Sequence, residues 1–264
     1  MPKQILWGAI AGDVIGSTYE YELKKDYNFE LFPDGSYATD DSVMTIAVAD
    51  WLVTGRDLAS VMRRWGAVYP TAGYGGMFKR WLRIDGYPAY NSFGNGSAMR
   101  VSAVGWAFDN LQQTLDVAEM SAEVSHNHPE GIKGAQAVAA AIFLARAGHS
   151  KADIKRYVHA AFGYDLNRKY AEILPDYTYD VTCQGCVPES IICFLESENF
   201  EDAVRKAVAM GGDADTMGAI TGSIAEAFYG GVPADILNRL KALVPADLAA
   251  VVTKFNDKFN NHIS

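Results

Sequence analysis

The sequence has no excess of positive charge. Its 264 residues include 23 Lys and Arg against 32 Asp and Glu, which gives a formal net charge of −9 and a pI near 5.0. Proteins that bind nucleic acid generally do so through a basic face that neutralises the phosphates. The composition therefore argues against nucleic acid as a partner.

Long apolar runs are missing as well. No apolar stretch reaches the ~20 residues that a membrane-spanning helix needs. The apolar start of the chain is interrupted by Gly8, Gly12 and Asp13, unlike the apolar segment of a signal peptide. With three cysteines and no secretion signal, the cytoplasm is the expected compartment, and a membrane is not an expected partner.

Two of the three cysteines form a C-x-x-C motif, Cys183 and Cys186. A redox motif of this kind is typical of a βαβ context, and a structural zinc site needs two further ligands nearby. Only Cys193 is close in sequence. The pattern therefore favours neither redox nor zinc chemistry.

The alternation of apolar and polar residues that marks a β-strand is also absent. Apolar residues recur instead at helical spacing, and 49% hydrophobic residues suffice to bury a large core. We therefore predict an all-α fold of roughly a dozen helices. We expect one compact domain over residues 1–264, acting as a monomer. The predicted helices include residues 5–22, residues 97–108 and a helix that starts at Pro188.

The first predicted helix carries Gly8, Gly12 and Gly16 at a spacing of four. Glycine lowers helix stability, so three glycines on one face indicate close packing against another backbone. Asp13 is the polar residue inside this apolar run. We expect its side chain to face other polar groups.

Two short acidic stretches, residues 39–42 (Thr-Asp-Asp-Ser) and 211–216 (Gly-Gly-Asp-Ala-Asp-Thr), each precede an apolar helical run. Asp, Ser and Thr are common helix caps, so either stretch alone fits a cap. They also supply the hard oxygen ligands that Mg²⁺, Mn²⁺ or Ca²⁺ prefer. A cap needs one aspartate, whereas four converging carboxylates call for about two divalent cations. We therefore predict that the fold brings the stretches face to face around a central two-metal site.

These motifs, taken in order, resemble the ADP-ribosylglycohydrolase family, which includes the dinitrogenase reductase-activating glycohydrolases. The resemblance covers nearly the whole chain and implies an all-α fold that holds two Mg²⁺ or Mn²⁺ ions, which bind ADP-ribose and help to cleave its glycosidic bond. The blocks that carry it are Gly8-Ala-Ile-Ala-Gly-Asp-Val-Ile-Gly16, Tyr19-Glu20, Thr39-Asp40-Asp41, Phe93-Gly-Asn-Gly-Ser-Ala-Met-Arg100, Ser125-His126 and Gly211-Gly-Asp-Ala-Asp-Thr216.

The resemblance implies specific roles for the acidic residues. It makes Glu20 and Asp40 the candidates for catalytic acid and base, without saying which is which. From the sequence alone, Glu20 also fits a solvated charge at a helix end. The metal ligands implied by the resemblance are Thr39, Asp40, Asp41, Asp213, Asp215 and Thr216.

The resemblance also implies a substrate site, in which the glycine-rich turn before Ser97 holds the diphosphate. Backbone N–H groups of such a turn suit an anion, although a loop with a serine cap fits the same residues. Arg100 fits either a phosphate ligand or a structural residue. His128, two residues after His126, is an alternative to it for any role in the site. The implied substrate-binding residues are Glu20, Phe93, Asn95, Gly96, Ser97, Met99 and His126.

The expected activity is hydrolysis of the bond between ADP-ribose and a protein side chain, with arginine favoured. The partner is then an ADP-ribosylated protein or a small molecule that contains ADP-ribose. Serine-linked or O-acetyl-ADP-ribose, and a non-catalytic ADP-ribose-binding protein on the same fold, are the alternatives. A terpenoid-synthase-like enzyme is disfavoured, because its D-D-x-x-D motif needs an acid where this chain has Met44. A haloacid-dehalogenase phosphatase is also disfavoured, because its D-x-D-x-[TV] motif follows a strand. Here Met217 takes the last position and the context is helical.

Overall fold

The computed structural model describes residues 4–22 and 25–260. Within these residues the chain forms fifteen α-helices and no β-strand, which confirms the all-α prediction. None of the described helices is long and apolar enough to cross a membrane. The helices are α1 (Trp7–Gly16), α2 (Asp40–Thr54), α3 (Leu58–Val68), α4 (Gly76–Arg83), α5 (Gly96–Met99), α6 (Ser102–Ala107), α7 (Leu111–Glu123), α8 (Pro129–Arg146), α9 (Lys151–Phe162), α10 (Tyr170–Ile173), α11 (Cys183–Leu195), α12 (Phe200–Ala209), α13 (Ala214–Tyr229), α14 (Ala234–Leu243) and α15 (Ala246–Phe259).

Helices α1 and α13 form an antiparallel pair at the centre of the molecule. Every residue of α1 is buried. A methyl group added to Gly12 would overlap the carbonyl of Gly218, and one added to Gly8 would overlap that of Gly222. Glycines on both helices therefore allow the two backbones to touch, as the spacing in α1 predicts. The contact continues to Gly16, so the C-terminal end of α1 meets the N-terminal end of α13.

Asp13 connects α1 to the start of α2. Its carboxylate is fully buried and accepts hydrogen bonds from the Thr39 backbone N–H (3.0 Å), the Thr39 hydroxyl (2.6 Å) and the Ser42 backbone N–H (3.0 Å). The Ser42 hydroxyl donates to it as well. The charged residue inside the apolar helix thus satisfies the donors at the first turn of α2.

Three predicted helix boundaries were wrong. Helix α1 ends at Gly16, and the next residues form a turn that begins with the bond from Ser17 N–H to Asp13 O. The predicted helix over 97–108 is two helices, because the chain tightens where Val101 N–H bonds to Ala98 O, three residues back.

Helix α11 starts at Cys183, five residues before the predicted start at Pro188. Thr182 caps it, because its hydroxyl accepts a hydrogen bond from Gly185 N–H (3.1 Å). Pro188 therefore lies inside the helix, where it lacks the N–H that would bond to Gln184. The early start brings the first residues of α11 against the turn that precedes α5.

Candidate active site

A cavity of about 670 Å³ lies where the turn after α1 and the starts of α2, α5, α11 and α13 meet. Acidic residues from the first, second and last of these segments line it. The glycine-rich turn at residues 92–96 and the aromatic residues of the α3–α4 and α4–α5 loops line it as well. The cavity therefore combines carboxylates with backbone N–H groups and aromatic rings.

The two acidic stretches converge at this cavity, as predicted. One carboxylate oxygen each of Asp13, Asp41 and Asp215 lies within 4.8 Å of the others, and the same holds for Glu20, Asp213 and Asp215. The Thr216 hydroxyl donates a hydrogen bond to Asp41 Oδ2 (3.3 Å) and so joins the start of α13 to the start of α2. The face-to-face arrangement is thus present in the fold.

The carboxylates of this cluster are buried among like charges. Asp41 and Asp215 are 2% and 4% exposed. Burial, followed by neighbouring carboxylates, raises the pKa of both well above the ordinary value. Burial and then Asp13 raise the pKa of Asp40 to about 8, and burial raises the pKa of Asp13 and of Asp213 to about 6. No described cation forms a salt bridge with these carboxylates, and a positive counter-charge would stabilise them.

The donor set fits divalent cations of the hard type. Carboxylate and hydroxyl oxygens are the ligands that Mg²⁺ and Mn²⁺ prefer, and the cluster offers no sulfur or nitrogen. Asp41 Oδ1 is buried, yet it has no hydrogen-bond partner among the described residues. Buried acceptors are normally satisfied, so this atom is suited to a cation.

Asp13 is the member of the cluster that sequence reasoning missed as a site residue. The signal was present, because a carboxylate in an apolar, glycine-rich helix needs partners. Its oxygens hold the Thr39 hydroxyl and backbone, which precede Asp40 and Asp41. Asp13 therefore supports the first acidic stretch from behind.

Glu20 lies on the turn after α1, half-buried at the mouth of the cavity. The Tyr179 hydroxyl donates a hydrogen bond to Glu20 Oε1 (3.1 Å), and the ring of Tyr179 stacks on Tyr21 with centroids 6.1 Å apart. Tyr21 is 80% exposed. Neither tyrosine carries a sequence signal, because Tyr179 comes from an irregular segment far along the chain.

The turn before α5 is fixed by the segment that leads into α11. Asn95 N–H donates to Val181 O (2.7 Å), and Cys183 N–H donates to Phe93 O (2.9 Å). The Asn95 side-chain amide donates to Asp213 Oδ2 (2.7 Å). These hydrogen bonds thus fix the position of the glycine-rich turn relative to the acidic cluster.

Of the other predicted substrate-binding residues, all but Ser97 line the cavity. Phe93, Gly96, Met99 and His126 line the cavity, and Phe93 is 44% exposed at its mouth. Ser97 is fully buried, and its hydroxyl donates to the backbone oxygen of Gly131 (2.7 Å), so it neither caps α5 nor lines the cavity.

The two histidines have different surroundings. His128 caps α8, because its Nδ1 accepts a hydrogen bond from Glu130 N–H (3.1 Å). His126 is 5% exposed, lines the cavity and lies between the rings of Phe78 and Tyr90, with centroids 6.1 and 5.8 Å away. Burial lowers its pKa well below the ordinary value, so its imidazole is neutral.

The C-x-x-C cysteines are free and buried. Cys183 Sγ donates to Gly94 O (3.1 Å). Burial raises the pKa of Cys183 to about 12, so the thiol stays protonated. Its contact with Gly94 holds the glycine-rich turn against α11.

The chain resembles known proteins along nearly its whole length. A model of the ADP-ribosylglycohydrolase family matches residues 3–262. ADP-ribosylhydrolase ARH3 of Homo sapiens is 26% identical over 85% of this chain and 84% of that protein. ADP-ribosylarginine hydrolase Tri1 of Pseudomonas putida (strain GB-1) is 24% identical over 90% of this chain and 73% of that protein.

A solved structure described as an ADP-ribosylglycohydrolase-related protein complex has the same fold. It is 23% identical, covers 96% of this chain and 95% of its own, and superposes with a TM-score of 0.73. The match of the family model to nearly every residue is the decisive finding. The chain belongs to the ADP-ribosylglycohydrolase family, a group of glycosidases.

Proposed function

We propose that this chain, over residues 1–264, hydrolyses the glycosidic bond that joins ADP-ribose to a protein side chain, arginine in particular, with the help of two Mg²⁺ or Mn²⁺ ions. The observation that carries the proposal is the convergence of two acidic stretches and Glu20 on a cavity that a glycine-rich turn also lines. The residues proposed to hold the cations are Thr39, Asp40, Asp41, Asp213, Asp215 and Thr216.

The acidic side suits the reaction at C1″ of the ribose. Glycoside cleavage passes through an oxocarbenium-like transition state, which carries positive charge. Fixed negative groups near that carbon stabilise the charge as it develops. Bound cations would add Lewis-acid polarisation and orientation of the ribose hydroxyls and of water.

Glu20 and Asp40 are the proposed proton carriers. Both line the cavity and both are half-buried, so each can reach substrate and solvent. Tyr179 donates a hydrogen bond to Glu20 Oε1 and so positions the carboxylate, which is proposed to exchange a proton with the leaving atom or with water. The Glu20 carboxylate then stays beside Asp213 and Asp215 during the proton transfer.

The glycine-rich turn and the side chains beside it suit the ADP portion. The turn at Gly94 and Gly96 leaves room for close backbone approach to a diphosphate. Phe93 offers an exposed ring to the adenine, and Met99 and His126 complete the wall. We therefore place the anionic diphosphate at this turn.

Arginine linkage is favoured by the mouth of the cavity. The stacked pair Tyr21 and Tyr179 is exposed beside Glu20. Aromatic faces and a carboxylate attract a cationic guanidinium, with cation–π contacts of about 0.5–1 kcal/mol at exposed sites. A neutral serine ether gains nothing from either group, and the net charge of −9 acts in the same direction. The name of the relative Tri1, an ADP-ribosylarginine hydrolase, supports this choice.

The test is release of ADP-ribose from arginine- and serine-modified peptides at equal concentration, with saturating Mg²⁺ and then with EDTA. We expect faster release from arginine, abolished by EDTA. Tyr21→Ala should reduce the arginine rate more than the serine rate, whereas Tyr27→Ala, an exposed tyrosine outside the cavity, should change neither. Faster release from serine, or release only from O-acetyl-ADP-ribose, would refute the arginine preference, and ADP-ribose binding without release would refute catalysis.

A further inference from the structure

Arg100 is a buried cation without an ionic partner in the described part of the chain. Its side chain is fully buried, and none of the acidic residues described there forms a salt bridge with it. Its Nε and Nη1 have no hydrogen-bond partner among the described residues, and its guanidinium lies 5.6 Å from the centre of the Phe78 ring. An unpaired buried charge is costly, so its retention calls for a function.

The polar contacts of Arg100 lead to His126. Arg100 Nη2 donates to the backbone oxygen of Ser121 (2.8 Å) and to the hydroxyl of Ser125 (3.0 Å). The Ser125 hydroxyl oxygen lies 2.8 Å from His126 Nδ1. These groups form a chain from guanidinium through hydroxyl to imidazole.

The direction of the hydrogen bonds follows from the donors available. A guanidinium only donates, so the Ser125 oxygen accepts from Arg100. The serine hydroxyl then has one proton to place, and Nδ1 of His126 is its only other hydrogen-bond partner in the described structure. The arrangement that gives this proton an acceptor has Nδ1 accepting, which places the proton of the neutral imidazole on Nε2.

Nε2 of His126 faces the glycine-rich turn. A methyl group added to Gly96 would lie 2.9 Å from Nε2, and one added to Gly94 would lie 3.7 Å away. No described residue makes a hydrogen bond with Nε2, and the ring lines the cavity. Its N–H is thus free to donate to a ligand in the space beside the turn.

We propose that Arg100 and Ser125 are positioning residues that fix His126 as a neutral Nε2–H donor, aimed at an acceptor oxygen of the bound ligand. The ligand class, a diphosphate or ribose oxygen of ADP-ribose, rests on the function proposed above. Arg100, whose charge is unpaired among the described residues, also lines the cavity. A positive group there favours an anionic diphosphate near the turn.

The tautomer can be measured without substrate. In the ¹⁵N-labelled wild-type protein, NMR of the imidazole nitrogens should show His126 Nε2 protonated and Nδ1 unprotonated but hydrogen-bonded. In Ser125→Ala, the Nδ1 resonance should move to that of a nitrogen without a hydrogen bond, with the Nδ1–H form becoming populated. Ser102→Ala, which removes another buried serine hydroxyl with no partner, should leave the His126 signals unchanged.

A proton on Nδ1 in the wild type, or identical His126 signals in wild type and Ser125→Ala, would overturn the assignment. Circular dichroism and thermal melts establish that each variant is folded before its spectrum is read. Arg100→Lys keeps the charge but removes Nη2, the nitrogen that donates to both Ser121 and Ser125, so it should shift Nδ1 in the same direction as Ser125→Ala.

Calorimetry with ADP-ribose tests the consequence for binding. Loss of one well-aimed hydrogen bond should weaken the affinity of Ser125→Ala by about tenfold, with kcat nearly unchanged and KM raised. The same affinity in Ser125→Ala and wild type would show that the donor does not serve this ligand. If the wild type binds no ADP-ribose at all, the proposed function fails, whereas the NMR result still decides the tautomer.

Discussion

Without divalent cations, the free energy of unfolding should fall as the pH rises. In the metal-free chain, burial raises the pKa of Asp13 from 3.8 to about 6, and burial with the charge of Asp13 raises that of Asp40 to about 8. Between about pH 4 and pH 8 the folded chain therefore holds protons that the unfolded chain has released. Stability must fall with rising pH wherever the native state binds more protons.

The magnitude follows from one fully buried member of the cluster. For Asp13, a folded pKa about 2 above the unfolded value corresponds to about 3 kcal/mol of unfolding free energy, lost as the pH rises from about 4 to above 6. Cations reverse this loss, because they bind the ionised carboxylates and bind only the native state. At a hundredfold excess over Kd, each site adds about 2.7 kcal/mol.

Urea unfolding followed by circular dichroism, in EDTA and in excess Mg²⁺, measures both effects between about pH 4 and pH 8. The gap between the two curves should widen as the pH rises. Asp41→Asn should narrow the gap, whereas Asp116→Asn, an exposed residue on α7, should leave it unchanged. Equal stability in EDTA and Mg²⁺ across this range would refute the reasoning.

Three further predictions concern single substitutions. Asp215→Asn should lower kcat by about a hundredfold or more while the apo protein stays folded, because a ligand charge is lost; near-wild-type turnover in saturating Mg²⁺ would contradict this. Glu20→Gln should keep the calorimetric affinity for ADP-ribose but lose turnover, since a proton carrier acts in the transition state; a parallel fall in affinity would make Glu20 a binding residue. Gly12→Ala should cost about 3 kcal/mol or more of unfolding free energy, because the methyl overlaps the backbone of α13, whereas Gly76→Ala, which meets nothing within 4 Å, should be nearly neutral in urea unfolding.

Local patterns in the sequence predicted the parts of the site that depend on local rules. Helical spacing gave the class of fold, and the glycines of α1 indicated a backbone contact that the structure contains. The paired aspartates at the starts of α2 and α13 exceeded what capping requires, and this excess of charge was the clue to their convergence.

Other features depend on contacts between distant segments, which a single sequence does not display. Ser97 looks like a helix cap, but Gly131 supplies an acceptor that draws its hydroxyl away from the cavity. Pro188 looks like a helix start, but Thr182 caps the same helix, which begins five residues earlier at Cys183. Tyr179 meets Glu20 across 159 positions of the chain, so its role was visible only in three dimensions.

The pairing of α1 with α13 has a consequence for biosynthesis. Asp41 and Thr216, which meet across the cavity, are 175 positions apart, so the contact order of this region is high. A ribosome finishes α1 and α2 long before it makes the helix that covers them, and during that interval the apolar, glycine-lined face of α1 is exposed. The nascent chain should therefore depend on protection from aggregation until α13 emerges. Truncated chains that end before residue 214 should neither bind Mg²⁺ nor fold cooperatively.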